Sequence, residues 1–264
     1  RPLAIEGIKE ERQLFEALGL NWISPELREG LDELDLAEEN ALPELIDDSV
    51  INGVFHNHTT ASDGHATLKE MAQAAADCGW DFLGIADHSK ASFQANGLDE
   101  ARLRKQIREI REFNESGDSE VYVFAGCEVD ILRDGKLDFD KELLQELDYC
   151  VLSVHSSMSG QSEAEMTRRI ITAMETDTGC AKMLGHLTGR LLLRREGYAV
   201  NVHQVIEAAA ANDVLIELNA NPHRLDMDWR YWRTARDQGV LCVINPDAHD
   251  TAGLDFTHAG VLTA

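Results

Sequence analysis

The chain has 264 residues, of which 44% are hydrophobic and 27% charged, and a formal net charge of -24 at pH 7. Such an acid excess excludes broad, sequence-independent adhesion to nucleic acid through a basic surface, although a local pocket can still accept phosphates. No stretch approaches the roughly 18 consecutive apolar residues of a membrane span, so no membrane partner is expected.

The first residue is Arg1 rather than methionine, and the chain is expected to be a piece of a longer protein. Five cysteines, Cys78, Cys127, Cys150, Cys180 and Cys242, are odd in number and lack CxxC spacing. They are expected to be buried free thiols of a reducing, cytoplasmic compartment. Residues 1–48 read as a separate helical and acidic connector. Ile8 to Leu18 has helical spacing, Asn21-Trp22-Ile23-Ser24-Pro25 breaks it, and Glu26 to Glu39 is strongly acidic.

Over residues 49–264 short apolar runs alternate with amphipathic helices. Strands are expected at Gly53–Asn57, Asp81–Ala86, Glu120–Ile131, Leu147–Val154, Met183–His186, Val214–Asn219 and Val240–Asn245. Thr67-x-x-Glu70 and Ser162-x-x-Glu165 are capping boxes that open helices, Asn201 caps another, and further helices are expected at Asp99–Asn114 and around Trp229–Gln238. Seven such units fit either a parallel barrel or a doubly wound sheet.

Groups able to bind metal recur where these strands end. His56 and His58 end the first, with Asp63 in the turn after it; two residues apart on a strand, the two imidazoles would share a face. Asp87-His88 ends the second, Glu128 the third, His155 the fourth, His186 the fifth and Asp247-x-His249 the seventh. The carboxyl ends of parallel strands surround one cavity, so this recurrence points to a metal cluster. Mixed imidazole and carboxylate ligands suit zinc, manganese or iron.

His56-x-His58-x4-Asp63-Gly64, Asp87-His88-Ser89, Gly126-x-Glu128, Ser153-Val154-His155-Ser156, Gly185-His186 and Asp247-Ala248-His249 together resemble the PHP (polymerase and histidinol phosphatase) superfamily. The stretch from Gly185 to Arg195 and Glu217-Leu218-Asn219-Ala220-Asn221-Pro222 look like the PHP domain of bacterial and archaeal family X DNA polymerases. Leu20 to Arg28 is similar to the connector that follows their nucleotidyl-transfer domain.

The resemblance implies a distorted, TIM-like (β/α)7 barrel holding three divalent metal ions at the carboxyl ends of its strands. One ion would take His56, His58, Glu128 and Asp247, a second Asp63, His88 and His249, and a third His155 and His186 with Glu128 as a bridge. The activity implied is metal-dependent phosphoester hydrolysis by a metal-activated hydroxide. It would act as a 3′–5′ exonuclease on DNA ends in repair, with 3′-phosphatase as a companion activity and a polymerase domain N-terminal to this chain. The alternatives are a small-molecule phosphatase of the histidinol-phosphate type and a non-catalytic, metal-stabilised module of a polymerase. Arg190 and Arg224 are the candidate phosphate contacts, and Arg194 and Arg195 read as surface residues. Glu217 is expected to orient a ligand, and Trp229 and Trp232 to be core. The chain departs from the family in one place. Val54-Phe55 stand where the family often has an acidic residue and leucine just before the first histidine, which removes a possible partner for orienting His56.

Overall fold

The computed structural model describes residues 7–264, so residues 1–6 of the expected connector lie outside the described part. The chain divides into two compact units, Arg1–Ile46 and Asp47–Ala264. In the first, helix α1 (Glu11–Leu18) ends on Gly19, whose φ of 76° suits a residue without Cβ. A 3-10 turn at Pro25–Leu27 precedes α2 (Glu33–Glu39), a helix within the acidic run. Arg28 ties these pieces together. Its guanidinium grips both Glu11 carboxylate oxygens at 2.7 and 2.9 Å, donates to the Ile23 carbonyl, and lies over the rings of Phe15 and Trp22.

The second unit runs β1 (Gly53–Val54), α3 (Leu68–Asp77), β2 (Phe82–Ile85), α4 (Glu100–Ser116), β3 (Tyr122–Asp130), α5 (Lys141–Leu144), β4 (Tyr149–Ser153) and α6 (Glu163–Glu175). It continues with β5 (Ala181–Leu184), α7 (Val202–Ala211), β6 (Leu215–Asn219), α8 (Trp232–Asp237), β7 (Cys242–Asn245) and α9 (Thr257–Thr263). All strand pairs are parallel and the strands lie in chain order. That order is a barrel's, since a doubly wound sheet reverses at a switch point. The ends nearly close: Asn57 bridges Ala248, the His58 N–H donates to the Ala248 carbonyl at 2.8 Å, and the Phe55 N–H donates to Asn245 Oδ1 at 2.8 Å.

A strand's period of two sorts its side chains between two layers. Leu83, Ile85, Val123, Cys127, Leu152 and Ile216 face outward and pack with Met71, Leu103, Ile107, Met166, Ile170 and Val205 of the helices. Inside, Tyr149, Val151 and Met183 pack with Phe55, Phe124, Leu215 and Val243. Tyr149 crosses this floor, and its hydroxyl donates to the Phe55 carbonyl. Glycine at 84 and 126 makes the room, because a Cβ at either would collide with Tyr149. Gly126→Ala is therefore expected to cost about 1–3 kcal/mol by overpacking, read as a lower denaturant midpoint. An unchanged midpoint would mean that the ring moves aside freely.

Several elements differ from expectation. β1 stops at Val54 because Phe55 and His56 both turn inward, which a regular strand forbids. β5 begins two residues early, at Ala181; its Lys182, which donates to the Met174 and Thr176 carbonyls at the C-terminal end of α6, interrupts the apolar run that would mark the strand. The expected helix at Trp229–Gln238 is a 3-10 turn, Trp229–Tyr231, followed by α8. Cys78 and Cys242 are exposed, not buried, while Cys127 and Cys150 are buried as expected. Among the described residues, no helix is long and apolar enough to cross a membrane.

Candidate metal centre

Glu128 stands at the centre. It lies on the inward face of β3, whose first half, Tyr122–Ala125, pairs with β2 and whose second half, Gly126–Asp130, pairs with β4. Its Oε1 is 3.3 Å from His56 Nε2, 3.1 Å from His155 Nε2 and 2.9 Å from His186 Nε2. Its Oε2 is 2.9 Å from His88 Nδ1 and 3.7 Å from His58 Nε2. One buried carboxylate thus faces five imidazoles delivered from four other strand ends.

Two more carboxylates complete the cluster. Asp247 Oδ1 lies 3.2 Å from His58 Nε2 and 3.7 Å from His56 Nε2. Asp63 Oδ2 lies 3.6 Å from His88 Nε2 and 3.5 Å from His249 Nε2. Among the described residues three groups are close enough to hold an ion: His56, His58 and Glu128; His58, Asp63, His88 and His249; and His88, Glu128 and His155. All nine candidates therefore come together, although the grouping is looser than expected. His58 joins the Asp63 group and His88 the His155 group, while two candidates stand outside all three, His186 against Glu128 and Asp247 against His58 and His56. The Asp63 and His249 side chains, 33% and 37% exposed, form the open side of the centre.

Three of the rings, those of His56, His155 and His249, are aimed by a partner behind them, the usual arrangement for ligating histidines. His56 Nδ1 is 2.6 Å from Glu217 Oε2, His155 Nδ1 is 3.2 Å from Asp130 Oδ1, and His249 Nδ1 is 3.0 Å from the Asp247 carbonyl oxygen. The acidic support missing at Val54-Phe55 thus arrives from β6. Glu217 also accepts from the His186 N–H, Asn219 Nδ2 and Asn245 Nδ2. Asp130 was not anticipated, yet Glu128-x-Asp130 on one strand is the period-two signal that places both carboxylates inward. Asp87, read as a strand-end group, instead binds the turn that carries Asp63: it accepts from the N–H and hydroxyl groups of Thr59 and Ser62 and from Gln106.

Without metal, the cluster is held by opposed charges. Burial works against the His88 imidazolium, yet Glu128 and Asp63 push its pKa up to about 10; Glu128 and Asp130 similarly carry His155 up to about 9. His58 falls to about 4, through burial and the neighbouring charges of His88 and His249. Burial pushes Glu128 up, but His155, His56 and His88 hold it well below the carboxylate range.

The atoms fit divalent ions. His56 Nε2, His58 Nδ1, His88 Nδ1, His186 Nδ1 and Glu128 Oε2 are buried without a hydrogen-bond partner. Buried polar atoms are nearly always paired, so five orphans in one centre mark donors that serve another partner. Imidazole nitrogen and carboxylate oxygen are the donors that zinc, manganese and iron accept.

The two candidate arginines separate. Arg190 is committed to its own loop, donating to the Arg224 carbonyl at 2.9 Å, to Asp228 at 2.6 Å and to the Leu225 carbonyl. Arg224 reaches the centre: its Nε is 3.4 Å from Asp247 Oδ2, and its Nη1 is buried without an acceptor. His258 pairs with Asp48 at the surface, His203 packs edge-on to Tyr231, and His223 is exposed. Only the backbone N–H of His65 touches the centre's ligands, at the His249 carbonyl.

A sequence profile described as PHP domain matches residues 55–221. The chain is 38% identical over 260 residues to a Bacillus subtilis (strain 168) protein named "DNA polymerase/3'-5' exonuclease PolX"; the match covers 98% of this chain and 45% of that relative. It is 28% identical over 206 residues to a Clostridium acetobutylicum protein named as a "Probable phosphatase", covering 74% of this chain and 78% of that one. Among solved structures, the histidinol phosphate phosphatase of Lactococcus lactis subsp. lactis Il1403, complexed with zinc, L-histidinol and phosphate, superposes with a TM-score of 0.57 at 14% identity. That match covers 80% of this chain and 92% of the other, and it shows the shared fold. With the profile spanning most of the barrel and the ligand-type residues gathered at its strand ends, the chain belongs to the PHP domain family.

Proposed function

We propose that this PHP-family phosphoesterase acts on DNA ends, removing nucleotides from 3′ to 5′, with 3′-phosphatase as a companion activity. The observation that carries hydrolysis is the Glu128 carboxylate among five imidazoles, a donor set built for several cations in one buried place. The preference for DNA is supported by similarity along nearly the whole chain to a relative named as an exonuclease. That relative is also named a polymerase and is longer than this chain, so we place a nucleotidyl-transfer domain in the full-length protein.

In this reading His56, His58, Glu128 and Asp247 would hold one ion, Asp63, His88 and His249 a second, and His155 and His186, with Glu128 again, a third. Divalent ions bound there supply Lewis acidity, which acidifies water and offsets charge on phosphoryl oxygens. Glu217, Asp130 and the Asp247 carbonyl fix the tautomers of His56, His155 and His249, so that Nε2 of each faces the substrate side. Arg224 offers its unpartnered Nη1 to a phosphoryl oxygen. Arg190 acts through it, by holding the backbone of the Arg224–Asp228 loop.

The test is incubation of the manganese-loaded protein with a labelled 3′-recessed primer, a 3′-phosphorylated primer and histidinol phosphate. Shortening of the primer, abolished in a folded His155→Ala variant, is the expected result. Turnover of histidinol phosphate alone would make the protein a small-molecule phosphatase. Full metal occupancy with every phosphoester intact would leave a non-catalytic module.

A further inference from the structure

Beside the metal centre, a groove of about 610 Å³ runs between the turn after β3 and the first turns of α6, lined by Arg133, Arg168 and Arg169 with Asp134 and Glu165. In a chain of net charge -24, three arginines around one concavity are a local reversal of sign. The two acids are already engaged. Asp134 pairs with Lys136 at 3.2 Å, and Glu165 closes the α6 capping box on the Ser162 N–H and hydroxyl at 2.7 and 2.8 Å. Arg133 and Arg168 are exposed, and among the described residues their guanidinium groups make no hydrogen bond or ion pair, although the Arg133 carbonyl accepts from Gln161 Nε2 at 3.4 Å; the two charges act on Glu165 only at longer range.

The groove is rigid and adjoins the catalytic end. Arg169, 2% exposed, forms its floor and donates to the carbonyls of Ile131 and Ser156, the residues next to Asp130 and His155. The turn carrying Arg133 is closed by the Leu132 N–H to the Lys136 carbonyl at 2.8 Å. It packs so closely on α6 that a Cβ on Gly135 would lie 2.8 Å from Thr172 Cβ. With the hairpin and helix already placed, ordering the two exposed guanidinium groups on a ligand costs only their own rotamer freedom.

We propose that this groove seats the sugar-phosphate backbone of a single DNA strand, beyond the nucleotide being removed, with Arg133 and Arg168 on its phosphates. The proposal rests on the DNA-end reading above. Arginine contacts to phosphate fix register without reading sequence, and they would let an acidic protein prefer a strand over a small phosphoester.

The experiment compares wild type with Arg133→Gln/Arg168→Gln and Arg133→Glu/Arg168→Glu on a single-stranded oligonucleotide and on bis(p-nitrophenyl) phosphate, with oligonucleotide binding followed by anisotropy. The glutamine pair is expected to lower kcat/KM on the oligonucleotide about tenfold, mainly through KM, and to make the salt dependence of binding shallower by about 1.4 in log–log slope. The glutamate pair should lower it further, and both should hydrolyse bis(p-nitrophenyl) phosphate like wild type. Wild-type behaviour of both variants on the oligonucleotide overturns the groove while leaving the DNA reading intact. Equal losses on both substrates assign the arginines a structural role and also overturn it. A wild-type protein that hydrolyses the small diester but neither binds nor shortens the oligonucleotide removes both readings together.

Discussion

Glu128→Gln is expected to abolish phosphoester hydrolysis, by about a thousandfold or more in kcat/KM, and to leave the protein short of metal by elemental analysis. Glu128 serves two sides at once, Oε1 toward His56, His155 and His186 and Oε2 toward His58 and His88. An amide keeps one acceptor and turns N–H donors toward rings that must themselves offer lone pairs. Removing one partner from a buried charged cluster costs about 3–5 kcal/mol of stability, and the thousandfold loss in rate corresponds separately to about 4 kcal/mol of lost transition-state stabilisation. The metal-free protein gives an independent readout. Glu128 is the leading attraction that overcomes burial at His88 and at His155. The pKa values of both rings should therefore fall in the variant, as followed by NMR. A full metal complement with turnover within tenfold of wild type would remove Glu128 from the centre of the mechanism.

Glu217→Gln should keep all nine ligand-type side chains and still weaken metal binding by about 10–100-fold, measured by competition with a chelator. The substitution is conservative in shape only. Glu217 accepts from four donors: His56 Nδ1 at 2.6 Å, the His186 N–H at 2.9 Å, Asn219 Nδ2 at 2.9 Å and Asn245 Nδ2 at 3.1 Å. A glutamine can satisfy those at one oxygen, while its NH2 faces donors, so one strand end must give way. Either His56 Nδ1 and Asn245 Nδ2, which share Oε2, or the His186 N–H and Asn219 Nδ2, which share Oε1, would lose their acceptor. Unchanged chelator competition would mean that His56 is aimed by packing alone.

The gathering at one end of the barrel was legible because most of the nine side chains lie at or just past the ends of apolar runs, and parallel strands send such positions to one rim; Asp63 comes instead from the polar turn after β1. Glu128 and Asp130 were legible in principle by their spacing on one strand. The pairing of His56 with Glu217 was not, since 161 residues separate them and no local pattern records it. Arg190 and Arg224 look equivalent in sequence. Only the carbonyls of the Arg224–Asp228 loop distinguish a brace from a group with a free donor. The shortened β1 was hidden for a similar reason: Phe55 and His56 turn inward to meet Tyr149 and Glu128, partners supplied by distant strands.

The side-chain seam between the first and last strands bears on the order in which the molecule assembles. Phe55 and Asn245, joined there by one hydrogen bond, are 190 residues apart, and Asn245 passes the link on to Glu217 and so to His56. Contacts of such separation cost the most chain entropy and form late. The aiming of His56 therefore waits on β7, and a nascent chain still lacking that strand also lacks Asp247 and His249 and has no finished site in which to capture an ion. Metal capture in this barrel is expected to follow the placing of β7 beside β6, not to precede it.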